Sequence, residues 1–238
     1  IMEGFPSEME QLRDRRRVSL GDQIYKQLRD SIVFLHLKPG QMVYENEIAE
    51  QLKVSRTPVR EAFRLLMSEQ LIDIQPQRGT KVNLISVRKI EEARFIREHL
   101  EIGAFRLAAN MWNEQIARTY ETQLLALLEQ QQLAVEDQDA AGLLKYDEDF
   151  HKLILTITGN QTLLQVIDHM RAHINRIRFL VLHEFRHMER IVAEHREILE
   201  SLRAGRTEQT AELLSKHFRK LDRELPELRA AFPQYFAD

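Results

Sequence analysis

From about residue 86 to residue 224 the apolar residues recur every three or four positions, and no strand-like alternation interrupts them. The breaks are short, chiefly "GN" at 159–160 and "AGR" at 204–206. The pattern predicts six helices, at about 86–111, 113–136, 139–158, 161–185, 187–204 and 206–224. Helices this long on short links bury their apolar stripes against one another. An antiparallel all-helical bundle is the natural result.

Polar residues inside those stripes carry the information, because a bundle core accepts them only when they find partners. The third helix turns Leu143, Asp147, Phe150, His151 and Ile154 inward. The fifth turns in Ile191, Val192, His195, Ile198, Leu199 and Leu202, and the sixth Leu213, Leu214, His217 and Leu221. Asp147 and His151, four residues apart, share a helix face. An uncompensated buried carboxylate costs several kcal/mol. One divalent metal ion per chain, held by Asp147, His151, His195 and His217, would satisfy all four groups. One carboxylate and three imidazoles suit Zn²⁺, Ni²⁺, Mn²⁺ or Fe²⁺. The chain has no cysteine, which removes thiolate sites and disulfides.

Two more polar residues lie on inward stripes. Arg97 sits among Ile90, Ala93, Leu100 and Ala104. It either pairs with Glu101 one turn on or holds the carboxylate of a small effector. His173, between Met170 and Ile177, is either a structural group or a second effector contact. A catalytic use of the metal would need a general base beside it. No HExxH motif is present, and Glu148 lies about 100° round the helix from Asp147. The chain therefore does not read as an enzyme.

The N-terminal part differs. Residues 1–18 are polar, with "RDRRR" at 13–17, and read as a flexible arm with a solvated charge run. Ile24, Leu28, Ile32 and Leu35 then mark a helix that "KPG" at 38–40 stops, and a short helix follows at about 45–52. In "VSRTPVREAFRLL", residues 54–66, Thr57 is the expected N-cap and Pro58 the expected first helical residue, with the helix running to about Gln70. "LIDIQPQRGTKVNLI" alternates around Arg78-Gly79 and predicts two short strands and a turn. Helix, helix, turn, helix and ribbon make a winged helix-turn-helix. Arg56, Arg60 and Arg64, spaced by four, edge the third helix beside Val59, Phe63 and Leu66. Such a helix can enter a DNA major groove, with its N-terminus favouring phosphate. The formal net charge of -3 argues against general polyanion binding. The basic residues Lys53, Arg56, Arg60, Arg64, Arg78 and Lys81 make a local exception.

"SRTPVREAFRLLMSEQLI" followed by "QPQRGTKV" resembles the DNA-binding signature of the GntR family of bacterial transcription regulators. The resemblance implies DNA contacts from Arg56, Thr57 and Arg60 and a wing tip at Arg78 and Gly79. Arg64 is added from helical spacing alone. "YDEDFHKLI", "EHREIL" and the His217 segment "SKHFRKL" resemble the metal-binding FCD domain of the family's FadR-like branch. Six helices instead of seven look like its VanR-type subgroup. The implied organisation is an arm at 1–18, a winged helix-turn-helix at 19–85 and an FCD-type effector and dimerisation domain at 86–238. The implied function is a homodimeric regulator, a repressor by the commoner family outcome, on a short palindromic double-stranded operator. It would sense a small organic acid. A purely structural metal with no effector is the alternative. With no long apolar run and no apolar leader, a bacterial cytoplasmic protein is expected.

Overall fold

A computed structural model of the chain describes residues 19–75, 78–185 and 188–237. The arm expected at 1–18 lies outside the described residues. The rest divides into two compact units: residues 19–31 with Gln41–Asn83, and Ile32–Gly40 with the chain from Leu84 onward.

The first unit holds most of helix α1 (Leu20–Val33), β1 (Met42–Val43), α2 (Glu45–Leu52), α3 (Arg56–Ser68), β2 (Ile72–Gln75) and β3 (Gly79–Val82). The strands form an antiparallel sheet in the order β1–β3–β2, with Ile72 opposite Val82 and Gln75 opposite Gly79. Ile24, Leu28, Val59, Ala62, Phe63, Leu66, Leu71 and Val82 fill its core. The buried Glu69 carboxylate accepts hydrogen bonds from Tyr25 Oη and from Arg29 Nε, the latter at 2.9 Å, fastening the end of α3 to α1.

Three details depart from the sequence reading. Ser55, not Thr57, occupies the cap position of α3, and its side chain makes no capping bond. Thr57 is the second helical residue and Pro58 the third. The missing N–H of Pro58 still costs nothing, because the first four helical N–H groups have no intrahelical partner. The helix ends at Ser68, and Gln70 turns the chain with φ 58°. The two-residue β1 is too short to leave an alternation in the sequence.

The second unit contains β4 (Ile85–Ser86), α4 (Val87–Met111), α5 (Glu114–Glu136), α6 (Ala140–Ile157), α7 (Gln161–Phe185), α8 (Glu189–Arg203), α9 (Thr207–Phe218), α10 (Leu221–Ala231) and β5 (Phe236–Ala237). Side-chain caps open four helices: Ser86 on α4, Asn113 on α5, Asp139 on α6 and Asn160 on α7. The sixth expected helix is two. It breaks at Arg219–Lys220, so that Leu221 and Leu228 can pack with Ile85, Ile90, Ile177 and Phe236. Among the described residues the second unit thus holds seven helices where the sequence predicts six. The parallel β4–β5 pair, Ile85 beside Phe236, was also not expected. A second core gathers Phe105, Leu124, Phe150, Ile154, Ile198, Leu202 and Leu214. Among the described residues no helix is long and apolar enough to cross a membrane.

Gly79 shows how tightly the wing is built. Its φ of +108° is a glycine conformation, and a Cβ there would sit 2.5 Å from the Tyr44 ring. Gly79→Ala is expected to destabilise the protein by about 1–3 kcal/mol. Urea unfolding followed by circular dichroism measures this, and an unchanged midpoint would contradict it.

Candidate metal centre and nucleic-acid interface

Helix α6 supplies Asp147 and His151, α8 supplies His195 and α9 supplies His217. All four are buried, and one candidate ligand atom from each lies within 4.8 Å of the others. The cluster expected from the stripes is thus assembled in space. Phe150 stacks on His195 at 4.5 Å between centroids, joining the cluster to the neighbouring core.

The outward nitrogens decide the protonation pattern. His151 Nδ1 lies 2.7 Å from Glu101 Oε2, His195 Nδ1 2.8 Å from Gln131 Oε1, and His217 Nδ1 2.9 Å from Glu194 Oε2. Gln131 Nε2 donates to Tyr146 O, which fixes that amide with its oxygen toward His195. Each partner atom is an acceptor, so each Nδ1 carries the hydrogen and each Nε2 turns a lone pair inward. His151 Nε2 and His195 Nε2 are 3.3 Å apart. With both Nδ1 atoms protonated, neutral rings have no proton left to join them. Two nitrogens bound to one tetrahedral zinc at 2.0–2.1 Å would themselves lie about 3.3 Å apart.

Asp147 completes the case. Its Oδ1 lies 3.4 Å from His195 Nε2 and 3.9 Å from His217 Nε2. Arg178 Nη2 approaches Oδ1 at 2.6 Å, yet neither carboxylate oxygen accepts an aligned hydrogen bond. Burial opposes ionisation of Asp147, but the charge of the Arg178 guanidinium is the largest influence the other way, and the carboxyl lies well below its usual range. Burial likewise pushes His151 down to about 4, against the pull of Glu101, and His195 well below its usual value. Neutral imidazoles and an ionised carboxylate are the forms that bind metal. The donor set fits a divalent ion, which Asp147, His151, His195 and His217 would hold.

Arg97 makes the pairing with Glu101 that one of the two sequence readings expects. Its Nε donates to Glu101 Oε1 at 2.6 Å, while its buried Nη2 has no partner. The guanidinium lies 4.6 Å from the centre of the Phe218 ring. Arg97, Arg178 and His217 line one cavity of about 160 Å³, together with Ile174, Val181 and Phe218. His173 does not line it: the cavity-facing stripe of α7 runs through Ile174, Arg178 and Val181. Glu148 faces α7, where Asn175 donates to it.

Sequence reasoning missed Glu101, Gln131, Glu194 and Arg178 as the groups that orient the cluster. Glu101 stands out in the sequence only as a partner for Arg97. Gln131 carried a signal, a lone amide in the buried stripe of Leu124, Leu128 and Val135. Glu194 carried none, since an acid beside a core histidine is common on a helix surface.

In the first unit, Arg56, Thr57, Arg60 and Arg64 are exposed on α3, and Arg78 is exposed at the wing turn. Arg56 and Arg60 both reach Glu45 Oε2, at 3.8 and 3.4 Å. Such exposed pairs are weak, and phosphate can displace them. Arg56 and Gly79 line the same cleft, with Tyr44 and Glu45 between them. The start of α3 and the wing tip thus form one surface, with Arg64 two turns along the helix.

Comparisons with known proteins identify both units. Residues 20–82 match the family described as bacterial regulatory proteins, gntR family, and residues 92–220 match the FCD domain. The chain is 30% identical over 219 residues to the HTH-type transcriptional repressor RspR of Escherichia coli K12, covering 92% of this chain and 94% of that protein. It is 28% identical over 208 residues to the Nta operon transcriptional regulator of Aminobacter aminovorans, covering 86% and 94%. The solved structure of E. coli McbR/YncC superposes with a TM-score of 0.74 at 25% identity, over 87% of this chain and 99% of that one. These relatives are regulators, not enzymes. The chain belongs to the GntR family of bacterial regulatory proteins, as a DNA-binding transcription regulator whose winged helix-turn-helix is followed by an FCD domain.

Proposed function

We propose that this regulator is a metal-containing sensor of a small organic acid, and that the acid controls its grip on a palindromic operator. One observation carries the reading: the cavity reaches the metal-ligand cluster through His217 and Arg178, and the unpartnered Nη2 of Arg97 belongs to a residue of its wall. A carboxylate there would complete the guanidinium and stand beside the ion. The ion supplies Lewis-acid attraction for that carboxylate when bound. The protein's own share is orientation: Glu101, Gln131 and Glu194 hold the imidazoles, and Arg97 and Arg178 aim their donors. A purely structural metal would leave the unpartnered Arg97 nitrogen without a purpose.

The regulator acts in the bacterial cytoplasm as a homodimer, most simply a repressor. Support for self-association comes from α4, where Phe95, Leu107 and Met111 are exposed on the face that also carries His99 and Gly103. No atom outside the helix lies within 4 Å of a Cβ built on Gly103, so a second helix can approach there. A two-fold dimer would present two copies of α3 and of the Arg78 wing to the two operator halves. Residues 1–18, 19–85 and 86–238 then divide the work among arm, DNA reader and sensor.

Three outcomes test this. The double variant His151→Ala, His195→Ala is expected to lose the roughly one divalent ion per chain that the wild type retains when purified without a histidine tag; elemental analysis reads this, and an ion retained by the variant would sink the site. Arg60→Ala should weaken operator binding by about tenfold, and random DNA less. Fluorescence anisotropy on both duplexes compares them, and equal losses would reduce Arg60 to a phosphate contact. Leu107→Glu should shift the protein toward monomer in light scattering; an undisturbed dimer would place the interface elsewhere.

A further inference from the structure

The wall of the cavity is far more basic than one carboxylate requires. Arg94, Arg97, Arg178, Arg190, Lys220 and Arg223 line it, against Glu224 as the one acid on the wall among the described residues. Three of these cations are answered from outside the wall: Arg97 by Glu101, Arg178 by Asp147 and Lys220 by Glu194. Arg190 and Arg223 are exposed and form no ion pair within the described residues. They come from different helices, each within the first turn, Arg190 on α8 and Arg223 on α10. A cation is disfavoured at that end of a helix. Two such arginines bordering one cavity make a positive site that no ion pair among the described residues neutralises.

The inner part of the same cavity also lacks partners. Arg97 Nη2 and Arg178 Nη1 are buried and make no hydrogen bond, and the Arg97 side chain is only 5% exposed. Apolar groups complete the wall: Ile174, Val181, Ile191 and Phe218. The lining therefore offers buried donors, apolar surface and exposed cations together, in a volume of about 160 Å³.

We infer that the ligand carries at least two anionic groups joined by a short, largely apolar segment. The inner carboxylate takes the free nitrogens of Arg97 and Arg178. The second group, carboxylate or phosphate, takes Arg190 and Arg223. This deepens the acid-sensing reading and rests on it. It excludes simple monocarboxylates as the strongest ligands, because they leave the outer arginines unanswered.

The test is calorimetric titration of the full-length, Zn²⁺-loaded protein with matched acids: succinate against butyrate, glutarate against valerate, adipate against hexanoate, with phosphoglycolate as the phosphate-bearing arm. At least one diacid or phosphoglycolate should bind about tenfold more tightly than the monoacids, and the tighter of the two kinds identifies the outer group. The surface double variant Arg190→Gln, Arg223→Gln should erase that advantage while leaving monoacid affinity unchanged. Equal affinity for diacids and monoacids, unaltered in the variant, overturns the outer subsite but leaves the acid sensor standing. No binding by any member of the series overturns both.

Discussion

Everything in the second unit is arranged around a carboxylate that has been taken out of water. Asp147 is fully buried, ionised, and without an aligned hydrogen-bond donor on either oxygen. Around it stand imidazoles whose inward nitrogens are lone pairs, because Glu101, Gln131 and Glu194 occupy the outward ones. Left to themselves these groups repel one another at 3.3 to 3.9 Å. Arg178 offsets part of the charge from one side only. A divalent cation would resolve the remainder. The orienting acids and the amide come from α4, α5 and α8, so much of the bundle takes part in holding the site. This is how a metal centre is made rigid, by fixing the ligands from behind.

The same economy explains the cavity. His217 belongs both to the cluster and to the cavity wall, where Arg97 and Arg178 carry guanidinium nitrogens without a hydrogen bond. One half of the site attracts a cation and the other an anion. An acid bound between them would meet both, and under the proposed function any preference for one arrangement of α8 and α9 that operator binding also senses would be returned as a change in operator affinity. Such coupling is reciprocal: the operator must alter the acid's affinity by the same factor.

Much of this was legible from side-chain spacing. Helical periodicity located Asp147, His151, His195 and His217 because each sits where only an apolar residue would otherwise be expected. Arg56, Arg60 and Arg64 were legible for the converse reason, an edge of charge beside an apolar stripe. The departures follow from contacts distant in sequence. The break at Arg219–Lys220 has no glycine or proline to announce it; it exists because Leu221 and Leu228 are drawn to a second core built by Ile85 and Phe236. The β4–β5 pair joins residues some 150 positions apart, beyond any local pattern. Gln131 and Glu194 acquire meaning only once the histidines they face are in place. Thr57 and Pro58 misled by two positions because Ser55 could serve as the cap as well.

The central claim is that a divalent ion occupies the Asp147–histidine cluster. X-ray absorption at the edge of the metal retained by the untagged protein tests it most directly. The account predicts an inner shell of three imidazole nitrogens with carboxylate oxygen at about 2.0–2.2 Å, and the multiple-scattering signature of histidine rings. A folded protein without stoichiometric metal, or an inner shell lacking imidazole, would contradict it.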